Sequence, residues 1–253
     1  MPNRYAWIAL GLGAYIAFVL SMFPADAAYR WFAPDALRMS GLSGTVWSGR
    51  AALASADGLP LRDLRWQLDA LPLLIGRANA RVQARLADGY VEATVRASFG
   101  GRAVLSDVML QARLAALEPI APIGDVRGQL RVALDRLELV DGLPASMVGR
   151  ATLTELTVPT FVPGGRGDPI LLGDFALTFD DTGGQGLLAR FNDTSGPLAV
   201  EGTLTVDRQG RYLLDARAAA RRGAPPALVQ ALELMGGEPG PDGKRPFELS
   251  GSL

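Results

Sequence analysis

The sequence predicts a mainly β protein: an antiparallel meander forming a sandwich-like or curled, groove-type sheet, with an N-terminal transmembrane helix and one short C-terminal helix. Three observations predict it. The chain begins with a long uncharged apolar run; the remainder alternates apolar with polar or small residues, the two-residue period of strands with one covered face; and Gly, Pro, Asp and Asn punctuate that alternation at hairpin spacing. At 253 residues, one all-β domain and an anchor account for the chain.

From Tyr5 to Ala25 the chain runs YAWIALGLGAYIAFVLSMFPA without a charge. As a helix rising about 1.5 Å per residue, this run crosses roughly 30 Å of hydrocarbon. Tyr5 and Trp7 flank one end, and Tyr29 and Trp31 the other, where amphipathic rings favour the headgroup layer. Arg4 and the α-amino group favour a cytoplasmic N-terminus. Residues 1–27 thus read as an anchor with a short cytoplasmic end, and residues 28–253 as a periplasmic, mainly β domain. A cleaved signal peptide competes, with Ala25-Asp26-Ala27 as its processing site; the apolar run is long for a signal core and the Asp is unfavourable there. Both readings put the bulk of the chain on the periplasmic side. Ala9, Gly13, Ala17 and Ser21 recur every four residues, a spacing that lets a second helix approach closely, although small residues are common in membrane helices generally.

Strands are expected at Tyr90 to Phe99, Gln129 to Leu139, Arg150 to Val158, Asp174 to Phe179 and Ala199 to Val206. Turn pairs such as Asp88-Gly89, Asp141-Gly142 and Gly183-Gly184 bound them as consecutive antiparallel strands require. Pro159 to Asp168 (PTFVPGGRGD) reads as a surface loop by its Pro and Gly content. Two short helices are expected, at Leu71 to Ile75 and at Pro225 to Met235. The second has paired prolines in its first turn and Gly236-Gly237 after its last apolar position.

The chain contains no Cys and no His, which excludes disulfides, thiolate nucleophiles, Cys/His zinc sites and His acid–base chemistry. Its 25 basic and 26 acidic side chains give a net charge of −1 without a basic face, so nucleic acid is not an expected partner. Arg166-Gly167-Asp168 is an ordinary turn sequence, and Asp180-Asp181 points to opposite faces of a strand, which suits a turn better than a metal. Gly11-x-Gly13 lacks the strand and third glycine of a dinucleotide site. Lys244, the only lysine, sits in a Gly/Pro-rich stretch that leaves its amine exposed. No catalytic residue, cofactor or metal is expected; paired carboxylates on different strands are the one hydrolytic arrangement left open. Trp47 and Trp66 suit either packing at the sheet or contact with a partner.

Gly44-Thr45-Val46-Trp47-Ser48-Gly49-Arg50-Ala51, then Leu64-Arg65-Trp66-Gln67-Leu68, then Pro72-Leu73-Leu74-Ile75-Gly76-Arg77 resembles protein N of the bacterial type II secretion system. The order of segments is similar as well: N-terminal membrane helix, strand train, and a closing helix at Leu228 to Gly237 before Phe247 to Leu253. The resemblance implies a single-pass inner-membrane component, accessory to a machine that passes folded proteins through an outer-membrane secretin. It implies partners among the inner-membrane platform or the secretin, and no catalytic residues. Gly44, Thr45, Trp47, Gly49, Trp66 and Gly76 carry the motif, in a structural or partner-contacting role. The alternative it offers is a periplasmic lipid- or lipopolysaccharide-handling groove, because similar envelope proteins hold lipid in curled sheets.

Overall fold

The structure, a computed structural model, describes residues 11, 12, 15, 18, 19, 21–32, 37–56, 58–73, 75–98, 100–119, 124–162, 165–183, 186–234 and 238–252, without the side chains of 32, 161, 162 and 165–167. Helix α1 (Ala25–Phe32) precedes β1 (Leu37–Gly44), β2 (Ser48–Ala56), β3 (Leu59–Asp69), the single turn α2 (Ala70–Leu73), β4 (Arg77–Leu86), β5 (Gly89–Ser98) and β6 (Arg102–Arg113). A 3₁₀ turn (Leu114–Leu117) leads to β7 (Arg127–Val140), β8 (Leu143–Val162), β9 (Gly165–Asp180), β10 (Leu187–Ser195), β11 (Leu198–Val206) and β12 (Arg211–Ala220). Helix α3 (Pro226–Leu234) and β13 (Arg245–Ser252) close the chain.

All thirteen strands form one sheet in chain order, and every ladder is antiparallel. Among the described residues no ladder joins β1 to β13, so the sheet is open, and the sandwich-like arrangement gives way to a single sheet. A strongly twisted sheet wider than about ten strands must curl, split or flatten. Bulges interrupt the strand interiors: Asp63, Asp107 and Glu155 take positive φ (49°, 53° and 55°) where the β3–β4, β5–β6 and β8–β9 registers slip. An extra unpaired residue bends its strand and raises the local twist, and the short Asp side chain tolerates the left-handed region.

One face is apolar throughout. A row of neighbouring residues crosses the whole sheet, starting Leu42, Ala51, Leu64, then Ala84 past the Asp63 bulge, Val91, Leu110 and Val132. It continues through Ala151, Leu177, Phe191, Gly202, Ala216 and Phe247. None of these residues is exposed, whereas Arg50, Arg65, Arg131, Arg190 and Arg217, next to them along the strands, are. Strand alternation therefore sorts the side chains as the two-residue period requires.

The core on that face is thin. Leu228 and Leu232 of α3 pack over Ile170, Phe175, Val200, Ala216 and Ala218 at the C-terminal end of the sheet. Ala51, Ala54, Leu64 and Ala84 cluster at the other end, and Leu117 of the 3₁₀ turn covers Leu86 and Ala112. Among the described residues no large side chain is fully buried.

The expected strands all form, and both expected helices appear, the first at Ala70–Leu73 in place of Leu71 to Ile75. The expected loop from Pro159 to Asp168 does not: β8 and β9 extend into it as hairpin arms, pairing Thr160 with Gly167 and Val162 with Gly165. Pro159 is accommodated because it falls at a register slip, where a strand can spare an N–H. Among the described residues no helix is long and apolar enough to cross a membrane. Most of the expected spanning segment lies outside the described residues; Gly11, Leu12, Tyr15, Phe18, Val19 and Ser21 within it are helical and exposed.

Candidate functional site

The six residues from Gly44 to Gly49 make the corner at which the first hairpin meets the N-terminal chain. The turn is tight. Thr45 N donates to Ser48 O at 2.9 Å, and Ser48 N donates to Thr45 Oγ1 at 3.2 Å. Gly44 holds φ at 92°, and a Cβ there would stand 2.5 Å from Ser48 O, so a side chain is excluded on both counts.

Two other segments, the N-terminal chain and β3, are tied to this corner. Val46 N donates to Phe23 O at 3.0 Å, and Pro24 bridges to Thr45, which joins the N-terminal chain to the sheet. Leu68 N donates to Trp47 O at 2.7 Å, which joins the end of β3. Trp66 Nε1–H donates to Val46 O at 2.9 Å, and its ring lies over Gly49 where a Cβ would collide with it. The motif residues are thus brought together by geometry: Gly44, Thr45, Trp47, Gly49 and Trp66 form one unit, with both indoles half-buried.

Gly76 belongs to a separate turn. Its φ of 73° ends α2, with Ile75 N bonded to Pro72 O and Gly76 N to Leu73 O, both at 3.1 Å. Of the small residues spaced along the expected membrane helix, Ala9, Gly13 and Ala17 lie outside the described residues. Ser21 Oγ–H donates to Phe18 O at 2.8 Å, one turn back along its own helix.

The sequence marks Tyr29 and Trp31 only as rings flanking the apolar segment, and their part in completing the corner was missed. Tyr29 on α1 accepts from Met39 N at 2.9 Å and donates to Leu37 O at 3.1 Å, covering backbone groups that the β1–β2 ladder leaves free. The Phe23 and Trp31 rings meet at 6.0 Å. The first edge of the sheet is therefore capped, and among the described residues no strand pairs with the far side of β13.

The carboxylates take structural partners. Asp181 Oδ1 accepts from Gly183 N at 2.9 Å and from Ser146 Oγ at 3.2 Å, while Asp180 pairs with Arg190 at 2.7 Å. Asp174 pins the β8 bulge: it accepts from Glu155 N at 2.8 Å and from Ser195 Oγ at 2.7 Å, and these bonds hold its carboxyl below the ordinary value. Lys244 is ion-paired with Glu201 at 2.9 Å, a partner its sequence context did not suggest. Among the described residues no group of three or more His, Cys, Asp or Glu is placed to hold a metal ion.

Comparison with known proteins gives a consistent result. The family described as "Type II secretion system (T2SS), protein N" matches residues 35–248. The type II secretion system protein N of Aeromonas hydrophila is 26% identical over 264 residues, covering 100% of both chains. That of Klebsiella pneumoniae is 26% identical over 258 residues, covering 99% of this chain and 97% of its own. That of Vibrio cholerae serotype O1 is 38% identical over 50 residues, 20% of each chain. No solved structure matches. The corner motif, the antiparallel strand train and a match across most of the length agree, and the chain belongs to the type II secretion system protein N family.

Proposed function

We propose that this component of type II secretion acts as an accessory scaffold of the inner membrane, its N-terminal segment spanning the bilayer and its sheet standing in the periplasm to meet other components of the machine. One observation carries the reading: the corner built from Gly44 to Gly49 joins the N-terminal chain to the sheet by backbone bonds at Val46 and Thr45, so a fixed N-terminal segment fixes the sheet's first hairpin with it. Exposed Leu12, Tyr15, Phe18 and Met22, ahead of the corner, suit lipid better than water. With β1 capped by Tyr29, the side of β13 that no described strand pairs is the edge left for another component to extend. Deleting the gene and measuring exoprotein release tests this reading. Release should fall, and return with the wild-type chain but not with Val46→Pro, which removes the N–H bonded to Phe23. Unchanged release in the deletion would reject the role.

A second reading, lipid or lipopolysaccharide handling, is favoured by the apolar row that crosses all thirteen strands with α3 over only its C-terminal part. Acyl chains recovered by mass spectrometry from the purified protein would support it.

A further inference from the structure

In an antiparallel meander, alternate connections lie at the same end of the sheet. The β1–β2 corner, the α2 turn between β3 and β4, and the β5–β6 turn therefore share one end, where the N-terminal chain enters. At that end the α2 turn presents Leu71 and Ile75 at 79% and 71% exposure, far more open than side chains of this size usually are.

Beside them lies an open depression of about 610 Å³, its walls including Leu71, Ile75 and Val104 together with Arg77, Arg96 and Arg102. Register explains the arginines: Arg96 sits across from Asn79 on β4 and from Val104 on β6, so Arg77 and Arg102 each stand two residues along a neighbouring strand, on the same face. Arg102 is paired with Glu138 at 3.3 Å, whereas Arg77 and Arg96 make no ion pair among the described residues.

We propose that this depression seats the headgroup of an anionic phospholipid of the membrane, with Leu71 and Ile75 dipping into the interfacial layer as a second point of contact. The inference rests on the reading of the N-terminal segment as a membrane anchor, which brings this end of the sheet to the bilayer. Charge complementarity selects the occupant: guanidinium groups grip phosphate oxygens in pairs, and apolar tips set beside cations match the headgroup boundary of an anionic leaflet. Acidic protein surfaces would satisfy the arginines but leave both apolar tips in water.

The chain has no cysteine of its own, so Ile75→Cys gives a unique attachment point for an environment-sensitive fluorophore. The full-length labelled chain is reconstituted into vesicles of phosphatidylcholine, with or without phosphatidylglycerol, and floated on a density gradient. The expected result is flotation with both compositions. Quenching by nitroxide-labelled lipid should be several-fold stronger with phosphatidylglycerol, and the gain should disappear in the Arg77→Glu/Arg96→Glu variant. The composition series needs no charge variant, so it stands whatever that variant does to folding. A floated chain whose label stays open to aqueous iodide in both vesicles overturns the inference and leaves the anchor reading intact. Lipid quenching that ignores both phosphatidylglycerol and the arginines overturns the headgroup assignment. Failure to float overturns both readings.

Discussion

Trp66 lies directly across the β2–β3 ladder from Gly49, covers it with its indole, and donates Nε1–H to Val46 O at 2.9 Å. The same relation recurs where Phe191 covers Gly202 across β10–β11, and where Tyr212 lies over Gly251 across β12–β13. In each pair the missing side chain makes room for a ring that shields backbone otherwise open to solvent, a device that steadies strand pairing. Replacing Trp66 with Ala removes the ring and leaves Val46 O without its donor. For a half-buried indole the expected loss is about 2 kcal/mol, read as a lower urea midpoint with an unchanged slope. Gly49→Ala should destabilise as well, because its Cβ would occupy the volume of the ring.

Asp174 gives the β8 bulge a pH dependence. Its hydrogen bonds from Glu155 and Ser195 depress the folded-state pKa below 3.8. A depressed carboxyl stabilises the fold fully above its unfolded value and loses that contribution as pH falls through the folded one. Wild type should therefore lose stability below pH 3.8, by more than Asp174→Asn does. Thermal melts of both proteins across the acid range check this, and parallel curves would contradict it.

Tyr29 caps the free side of β1 through its hydroxyl alone. Tyr29→Phe keeps the ring and frees Leu37 O and Met39 N. A destabilisation of about 1 kcal/mol is expected, with dimers or larger species growing in size-exclusion profiles as the exposed edge finds strands to pair with. A monomeric variant of wild-type stability would show that the cap does neither.

Gly13 is the centre of the small-residue spacing in the N-terminal segment. Gly13→Arg should reduce crosslinking to membrane partners by blocking close helix approach. Wild-type crosslinking with normal insertion would remove the packing stripe from the account.

The strands were legible because alternation is a local property: residues such as those of Ala199 to Val206 sort to two faces whatever their neighbours do. The bulges were not. Asp63 and Asp107 read in sequence as ordinary polar positions, and only the register exposes them as extra residues with positive φ. The same limit explains Pro159 to Asp168, where Pro and Gly content pointed to a loop while a slip between Val158 and Thr160 absorbed the proline and let the arms continue. At the corner, Gly44, Trp47 and Trp66 stood out as words, but their joint role depends on Phe23, Pro24 and Tyr29, whose place beside them only the folded chain shows. The covering of Gly49, Gly202 and Gly251 was likewise invisible, since which aromatic faces which glycine is a matter of pairing.

Everything proposed for function requires the sheet to stand outside the cytoplasm while remaining tied to the inner membrane. A single cysteine introduced at exposed Arg131 reads this directly, because the chain has no other. In cells whose outer membrane alone is permeabilised, a membrane-impermeant maleimide should label Arg131→Cys fully, and the labelled chain should sediment with inner membranes. Labelling that appears only after the inner membrane is broken would contradict the account.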